Sequence, residues 1–246
     1  MNCSLSNEIS RTLTIQYRMN KVLMNFSNQK FYNSLLTPHF NNQSIKMIDL
    51  ISNVDRRDLY KHSYGLFDTQ QFKFENNHDY HVYSQYNKGE AIAIKFICEK
   101  LALDQNINFN LGQVTIITPY KAQRNAIIQE LKSSDNWNQF KQIEVNTIDG
   151  YQGKENELII VSLVKSELDE IGFIENKKRF NVMITRAKRM LIIVGNFKAL
   201  SNKDDLYKEF IDQIRLEGYN MKQIFSSDDI YTIERQYNEY LSEEVS

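Results

Sequence analysis

Apolar residues along this 246-residue chain fall into short continuous runs separated by stretches of helical spacing. Residues 113–118, QVTIIT, form one such run, closed by Pro119. A compact β-branched run of that length predicts a strand buried on both faces. Pro119-Tyr120 then opens a segment in which Ala122, Ala126, Ile127 and Leu131 recur at helical intervals, so a helix is expected to about Lys132. The unit repeats downstream. Residues 157–164, ELIIVSLV, read as a second buried strand, 180–188 as a helix, and 190–195, MLIIVG, as a third strand ended by Gly195. Upstream, Asn87 is placed to cap a helix through about Leu103 that carries Ile92 and Phe96. Strands and helices alternating from about Ile45 to Asn196 predict an α/β three-layer sandwich with a mostly parallel central sheet.

The flanks are less regular. Residues 33–86 are rich in Asn, Gln, His and Tyr; within them a strand is expected at 45–51, IKMIDLI, and 69–86 is expected to cross the surface. A helix is expected over 204–217, and the polar tail from about Ser226 is expected to fray. The division expected is one domain over residues 1–202, followed by a C-terminal helix and polar tail over 203–246.

Composition narrows the class. With 41% hydrophobic residues the chain can bury one large core. A net charge of -1 argues against a wholly electrostatic, tail-like binder, but leaves nucleic acid open, because binding depends on where Lys and Arg cluster. The two cysteines, Cys3 and Cys98, lie far apart and form no C-x-x-C pair, which disfavours a zinc site or disulfide framework and fits a reducing compartment. The apolar runs fall short of the roughly 20 residues that span a bilayer, and Met1 to Ser10 lack a signal-peptide core. The expectation is a soluble intracellular protein, of cytoplasm or nucleus, with no membrane partner.

Parallel sheets bind ligands at the carboxyl ends of their strands. On that rule Thr118-Pro119-Tyr120, the loop from Thr147 to Glu155, and Gly195-Asn196 are expected on one functional edge. Three segments carry candidate chemistry. Gln16-Tyr17-Arg18-Met19 alone reads as a surface arginine beside a core tyrosine. In the segment from Asn146 to Glu155, Gly150 and Gly153 let the backbone approach a ligand, and Thr147, Asp149, Gln152 and Glu155 offer polar contacts. Its place between two apolar strands favours a site over an ordinary loop. In the segment from Arg179 to Arg189, a helical reading puts Arg179, Met183 and Arg186 on one face and Asn181 and Thr185 on another. Such an arginine can grip a γ-phosphate bidentately; the plain alternative is a solvated basic helix face.

Together these segments resemble the second RecA-like motor lobe of superfamily 1 helicases, in the branch that holds the nonsense-mediated-decay helicase and senataxin. That branch shows a Q-Y-R-M-H-P box, a T-P-Y-x-x-Q-R box, a V-D-x-[FY]-Q-G-x-E box followed by an apolar strand, and a G-F-[LI]-x(4)-R-x-N-V-x-x-T-R-A-[KR] box. Here they run in that order as Gln16 to Met19, Thr118 to Arg124, Ile148 to Glu155 and Gly172 to Lys188, so the likeness covers about residues 10–200. It implies the P-loop NTPase fold and the following roles. Tyr17 stacks on adenine, and Arg18 and Arg186 reach the γ-phosphate. Glu155 binds the ribose hydroxyl, and Gln152, counted with the catalytic residues, lines the same pocket with Gly153. Thr118 and Thr147 contact a nucleic-acid backbone, with Asn181 bracing or touching that strand.

Two departures qualify the likeness. Asn20-Lys21 stand where the branch has His-Pro, and are expected to shape the following helix. More important, the chain holds no G-x-x-x-x-G-K-[ST] and no acidic pair before its first box. The resemblance places the phosphate loop and the Mg²⁺ ligands before residue 1, on an N-terminal lobe in the same or another chain. No metal site is expected here. The expectation is therefore the C-terminal lobe of an ATP-dependent RNA or DNA helicase, using ATP and Mg²⁺ and inactive as an ATP hydrolase on its own. The alternatives are a non-hydrolysing module that binds single-stranded nucleic acid or docks on a helicase, and a structural remnant with no ligand.

Overall fold

A computed structural model describes residues 13–51, 57–79, 84–103, 110–164 and 176–244. The short strand β1 (Ile15–Gln16) leads into helix α1 (Lys21–Phe31), and β2 (Thr37–Pro38) returns parallel to β1. Helix α2 (Arg57–Lys61) and strand β3 (Tyr64–Asp68) follow, then an antiparallel hairpin of β4 (Asn77–Asp79) and β5 (Ser84–Tyr86). The core comes next: α3 (Lys88–Ala102), β6 (Val114–Thr118), α4 (Lys121–Lys132), α5 (Trp137–Phe140), β7 (Glu144–Thr147) and β8 (Asn156–Ser162). Helix α6 (Lys177–Ile184), β9 (Ala187–Gly195), α7 (Phe197–Ser201), α8 (Asp205–Glu217), β10 (Tyr219–Asn220) and α9 (Ser227–Glu244) complete the described chain.

Six strands form one all-parallel sheet in the order β10–β3–β9–β8–β6–β7. Because successive strand residues point to opposite faces, Ile116 and Ile160 join one core while Ile117 and Ile159 join the other. The first core is closed by α3, α4 and α9 through Ile92, Ile127 and Ile233; the second by α1, α6 and α8 through Leu23, Phe180 and Phe210. Each fully buried side chain of this size contributes about 1.5–3 kcal/mol. The result is the RecA-like three-layer sandwich that the strand–helix alternation predicts. The expected cap agrees as well: Asn87 accepts the Glu90 N–H at the start of α3; the helix expected over 204–217 is α8, capped by Asp204, which accepts the Tyr207 N–H.

Five segments depart from the sequence reading. Residues 45–51 do not form a strand; Met47–Leu50 is a 3₁₀ turn. The Asp49 carboxylate accepts the Lys46 N–H, and Arg189 holds both the Lys46 carbonyl and Asp49, so side-chain bonds curl the backbone. Strand β3 lies inside the stretch expected to be irregular, because five residues without long apolar flanks give little period to read. The surface crossing at 69–86 contains the β4–β5 hairpin. Helix α6 starts and ends earlier than expected: Asn176 caps it by accepting the Lys178 and Arg179 N–H groups, and β9 already begins at Ala187. Arg186 therefore sits in the link before β9 and shares no helix face with Arg179. Finally, the tail is helical, and Ile233 and Tyr237 are buried against the α3 side of the core. Lys100 pairs with Asp229 at 2.7 Å, and the Tyr237 hydroxyl accepts the Glu75 N–H. Tyrosine read as polar hid that apolar stripe. Among the described residues no helix is long and apolar enough to cross a membrane.

Candidate nucleotide cleft

The register of β8 and β9 assembles the site. Asn156 pairs with Ala187, so the residues just before them, Glu155 and Arg186, meet at the amino ends of neighbouring strands. Arg18 arrives from the turn between β1 and α1, and that turn is fixed from within. The Gln16 Oε1 accepts the N–H groups of Arg18 and Met19, each at 2.9 Å, while its Nε2 donates to the Met19 carbonyl at 2.6 Å. Asn20 then secures the turn to the sheet. Its Oδ1 caps α1 through the Leu23 N–H, and its Nδ2 reaches Ser63 and the carbonyls of Ile45 and Arg189. Its own N–H donates to the Lys188 carbonyl. Asn20, standing where the branch has histidine, caps the following helix as expected; it is also fully buried and bridges to the sheet.

Charge is concentrated at this point. The Arg18 Nε meets the Glu155 carboxylate at 2.5 Å, and its Nη1 donates to the Thr185 carbonyl at 3.0 Å. Lys188 approaches the same carboxylate at 3.5 Å. Burial raises the Glu155 carboxyl, but the bond to Arg18 and the charges of Arg18 and Lys188 outweigh it and hold the group below the usual carboxylate range. Arg186 donates from Nε to the Val182 carbonyl at 3.0 Å and from Nη1 to the Lys154 carbonyl at 3.3 Å. Burial, and then the neighbouring charge of Arg18, depress its guanidinium. Arg18 and Arg186 line one open cleft of ≈ 370 Å³ together with Tyr17, Tyr32, Asn181 and Thr185. Two guanidinium groups facing one space, with a single shared carboxylate beside them, suit a polyanion such as a nucleotide's phosphates.

Tyr17 supplies the flat surface of the cleft. The residue is 66% exposed, and its ring stacks on His39, centroid to centroid 4.6 Å, at 29°. The Asn42 side chain donates to its carbonyl and fixes the main chain there.

Other predicted residues fall elsewhere. Gln152 is exposed and does not line the cleft, nor does Gly153, and Glu155 reaches it only through its contact with Arg18. Gly153 takes φ +86°, where a side chain is strained, so its glycine serves the turn toward Glu155. Thr118 and Thr147 are register partners at the carboxyl ends of β6 and β7. The Thr147 Oγ1 accepts the Gly150 N–H and is half-buried. The Thr118 hydroxyl is wholly enclosed, without a hydrogen-bond partner among the described residues, so it presents nothing to a strand lying on the surface. Asn181 is not beside these threonines. It accepts from Ser27 and donates to Tyr32 inside the cleft. Gly172, which opens the last sequence box, lies outside the described residues.

The single functional edge expected from topology is therefore two edges. Thr118, Thr147 and Gly195 end their strands, whereas Glu155 and Arg186 precede theirs. The reason is geometric: β7 and β8 are parallel, so the segment joining them must traverse the sheet from one end to the other. Tyr151 marks that path, buried against the second core with its hydroxyl 3.2 Å from Thr115 Oγ1. Sequence reasoning also missed His39. It sits in the Asn- and His-rich stretch, and strands of two residues leave no periodic trace. Among the described residues no group of three or more His, Cys, Asp or Glu is placed to hold a metal ion.

Comparison with known proteins gives a consistent picture. Residues 1–198 match the family described as AAA domain. An uncharacterized ATP-dependent helicase of Methanocaldococcus jannaschii is 35% identical over 206 residues, covering 83% of this chain and 29% of that protein. The DNA polymerase alpha-associated DNA helicase A of Saccharomyces cerevisiae is 34% identical over 212 residues, 81% of this chain and 29% of its own. Regulator of nonsense transcripts 1 of Dictyostelium discoideum is 32% identical over 207 residues, 82% of this chain and 15% of its own. The chain thus spans less than a third of the length of each of these curated relatives.

Proposed function

This chain belongs to the AAA domain family, as a second RecA-like lobe of the superfamily 1 branch that holds the nonsense-mediated-decay helicase and senataxin, and from that premise we propose that it is the C-terminal motor lobe of an ATP-dependent helicase. The observation that carries the proposal is the cleft shared by Arg18 and Arg186, which come from separate segments and converge at the amino ends of β8 and β9. Two partly buried guanidinium groups converging on one space suit the clustered charge of a triphosphate better than the evenly spaced phosphates of a nucleic-acid strand.

The roles follow from the chemistry of the side chains. Arg18 and Arg186 bind the terminal phosphate and stabilise the charge that develops on it during transfer. Tyr17 takes the base on its open face, and Glu155 takes the ribose hydroxyl while Lys188 keeps its carboxylate in place. ATP, when bound, supplies the phosphoanhydride whose cleavage drives the motor. The phosphate loop and the Mg²⁺ ligands come from an N-terminal lobe that forms the opposite wall. At the other end of the sheet, Thr147 and the N–H groups opening α4 contact the phosphates of a single strand of RNA or DNA. Such contacts carry no base identity, which suits a motor stepping along any sequence. The setting is intracellular.

The test supplies a P-loop lobe to the chain and measures turnover. Arg186→Ala lowers kcat by orders of magnitude, since fingers of this kind contribute roughly 10³–10⁵ in rate, and affects nucleotide affinity less. An unchanged kcat removes Arg186 from this role. Single-strand affinity measured at two salt concentrations tests the other edge: binding weakens as salt rises, because phosphate contacts release counterions.

A further inference from the structure

The Tyr17 ring that lines the cleft rests on a second segment, to which neither sequence nor likeness assigns a role. In the β1–β2 ladder Gln16 lies opposite Pro38, so the next residues along, Tyr17 and His39, face each other across the strands. The ladder continues in a hydrogen bond from the His39 N–H to the Gln16 carbonyl at 2.8 Å, which pins His39 at that level. The two rings stack at 4.6 Å and 29°. Phe40 also leans on the imidazole, centroid to centroid 4.3 Å at 42°. With Asn42 gripping the Tyr17 carbonyl, the tyrosine is held at its main chain and on one ring face.

That arrangement has a physical consequence. A tyrosine 66% exposed on a turn otherwise samples several rotamers and must give up that freedom when a base stacks on it. A ring already resting on another ring has surrendered most of the freedom beforehand and has its opposite face left for a base. We infer that His39 is a positioning residue for the base of the nucleotide: it backs the Tyr17 ring and pre-sets the platform, without touching the phosphates. This rests on the reading of Tyr17 as the base-stacking residue.

The experiment compares affinity for ATP with affinity for inorganic tripolyphosphate, on the full chain and at one ionic strength. The ratio reports what the nucleoside adds, and a defect in folding or in the arginines moves both affinities together. In the wild-type chain ATP binds more tightly than tripolyphosphate. His39→Ala reduces that preference by roughly three- to tenfold, the scale of an aromatic pair, and leaves tripolyphosphate binding unchanged. His39→Phe, which restores a flat ring, retains the preference. Tyr17→Ala abolishes it. If Tyr17→Ala abolishes the preference while His39→Ala leaves it intact, the inference about His39 is wrong and the stacking role of Tyr17 stands. If the wild-type chain shows no preference, or Tyr17→Ala leaves it intact, the stacking role fails and the inference fails with it.

Discussion

The Arg18 guanidinium rests on the Glu155 carboxylate at 2.5 Å, although the two residues are 137 positions apart in the chain. The contact joins the turn before α1 to the link before β8, and Arg186 stands in the link before the neighbouring strand, β9. Glu155 is thus the carboxylate next to Arg18 and Arg186, and it shares Lys188 with Glu157. If the cleft takes a nucleotide as proposed, the phosphates compete with that carboxylate for Arg18.

Neutralising Glu155 separates the two effects. Because both partners are partly exposed, Glu155→Gln costs less than about 1 kcal/mol of stability. The cleft, however, gains one positive charge, and a unit interaction near the surface is worth about 1 kcal/mol or more at 4 Å. Titration calorimetry with inorganic tripolyphosphate is expected to show roughly fivefold tighter binding, with the gain shrinking as salt is added. Weaker or unchanged binding contradicts the view that Glu155 holds Arg18 against the anion.

Asn20→Ala removes the cap of α1 and takes the side-chain donor from the part-buried carbonyls of Ile45 and Arg189, while Ser63 keeps its bond from Lys46. A lost cap costs about 1 kcal/mol, and unsatisfied buried groups cost about 1–3 kcal/mol more. Urea unfolding should show a loss of about 2–4 kcal/mol, together with weaker polyphosphate binding as the Arg18 turn loosens. A change within experimental error shows that the Gln16 clamp alone holds the turn.

Much of this could be read from the residues, and the limits are instructive. The runs around Ile116 and Ile160 are fully buried and continuous, so they announce a parallel sheet without ambiguity. Asn87 and Asp204 cap helices by the local chemistry of an N-terminus, which needs no tertiary information. The pairing of Arg18 with Arg186 could be expected only through family likeness, because nothing local connects a turn near residue 18 with a link near residue 186. The division into two edges was hidden for the same reason: a loop between two strands looks identical in sequence whether it turns at one end or crosses the sheet. Tyr151, which carries that crossing, gives itself away only by its burial. His39 and the docking stripe of α9 were illegible because each depends on a partner far away in the chain.

Glu90 gives a pH signature for the core. Its fully buried carboxyl accepts from the Ser162 hydroxyl at 2.6 Å and from the Val164 N–H at 3.0 Å. Burial pushes it up from 4.5 to about 7, with those bonds only partly opposing the shift. A carboxyl raised on folding binds more protons in the native than in the unfolded state. Its contribution to stability is therefore complete below about pH 4.5 and is lost as pH rises through about 7. On that scale the loss is about 3 kcal/mol. Glu90→Gln, which keeps the shape and can still bond Ser162 and Val164, should remove this fall, so that urea midpoints of variant and wild type diverge in favour of the variant toward pH 8. Parallel pH profiles contradict the assignment.

The decisive measurement is steady-state ATP hydrolysis by the purified chain, alone and after a separately produced P-loop lobe from one of its relatives is added, both with Mg²⁺. Alone, the chain should show no turnover above buffer, since its two arginines face a cleft with no phosphate loop to hold the other side of the nucleotide; with the added lobe, turnover should rise and depend on both Arg18 and Arg186. Robust Mg²⁺-dependent hydrolysis by the chain on its own contradicts this.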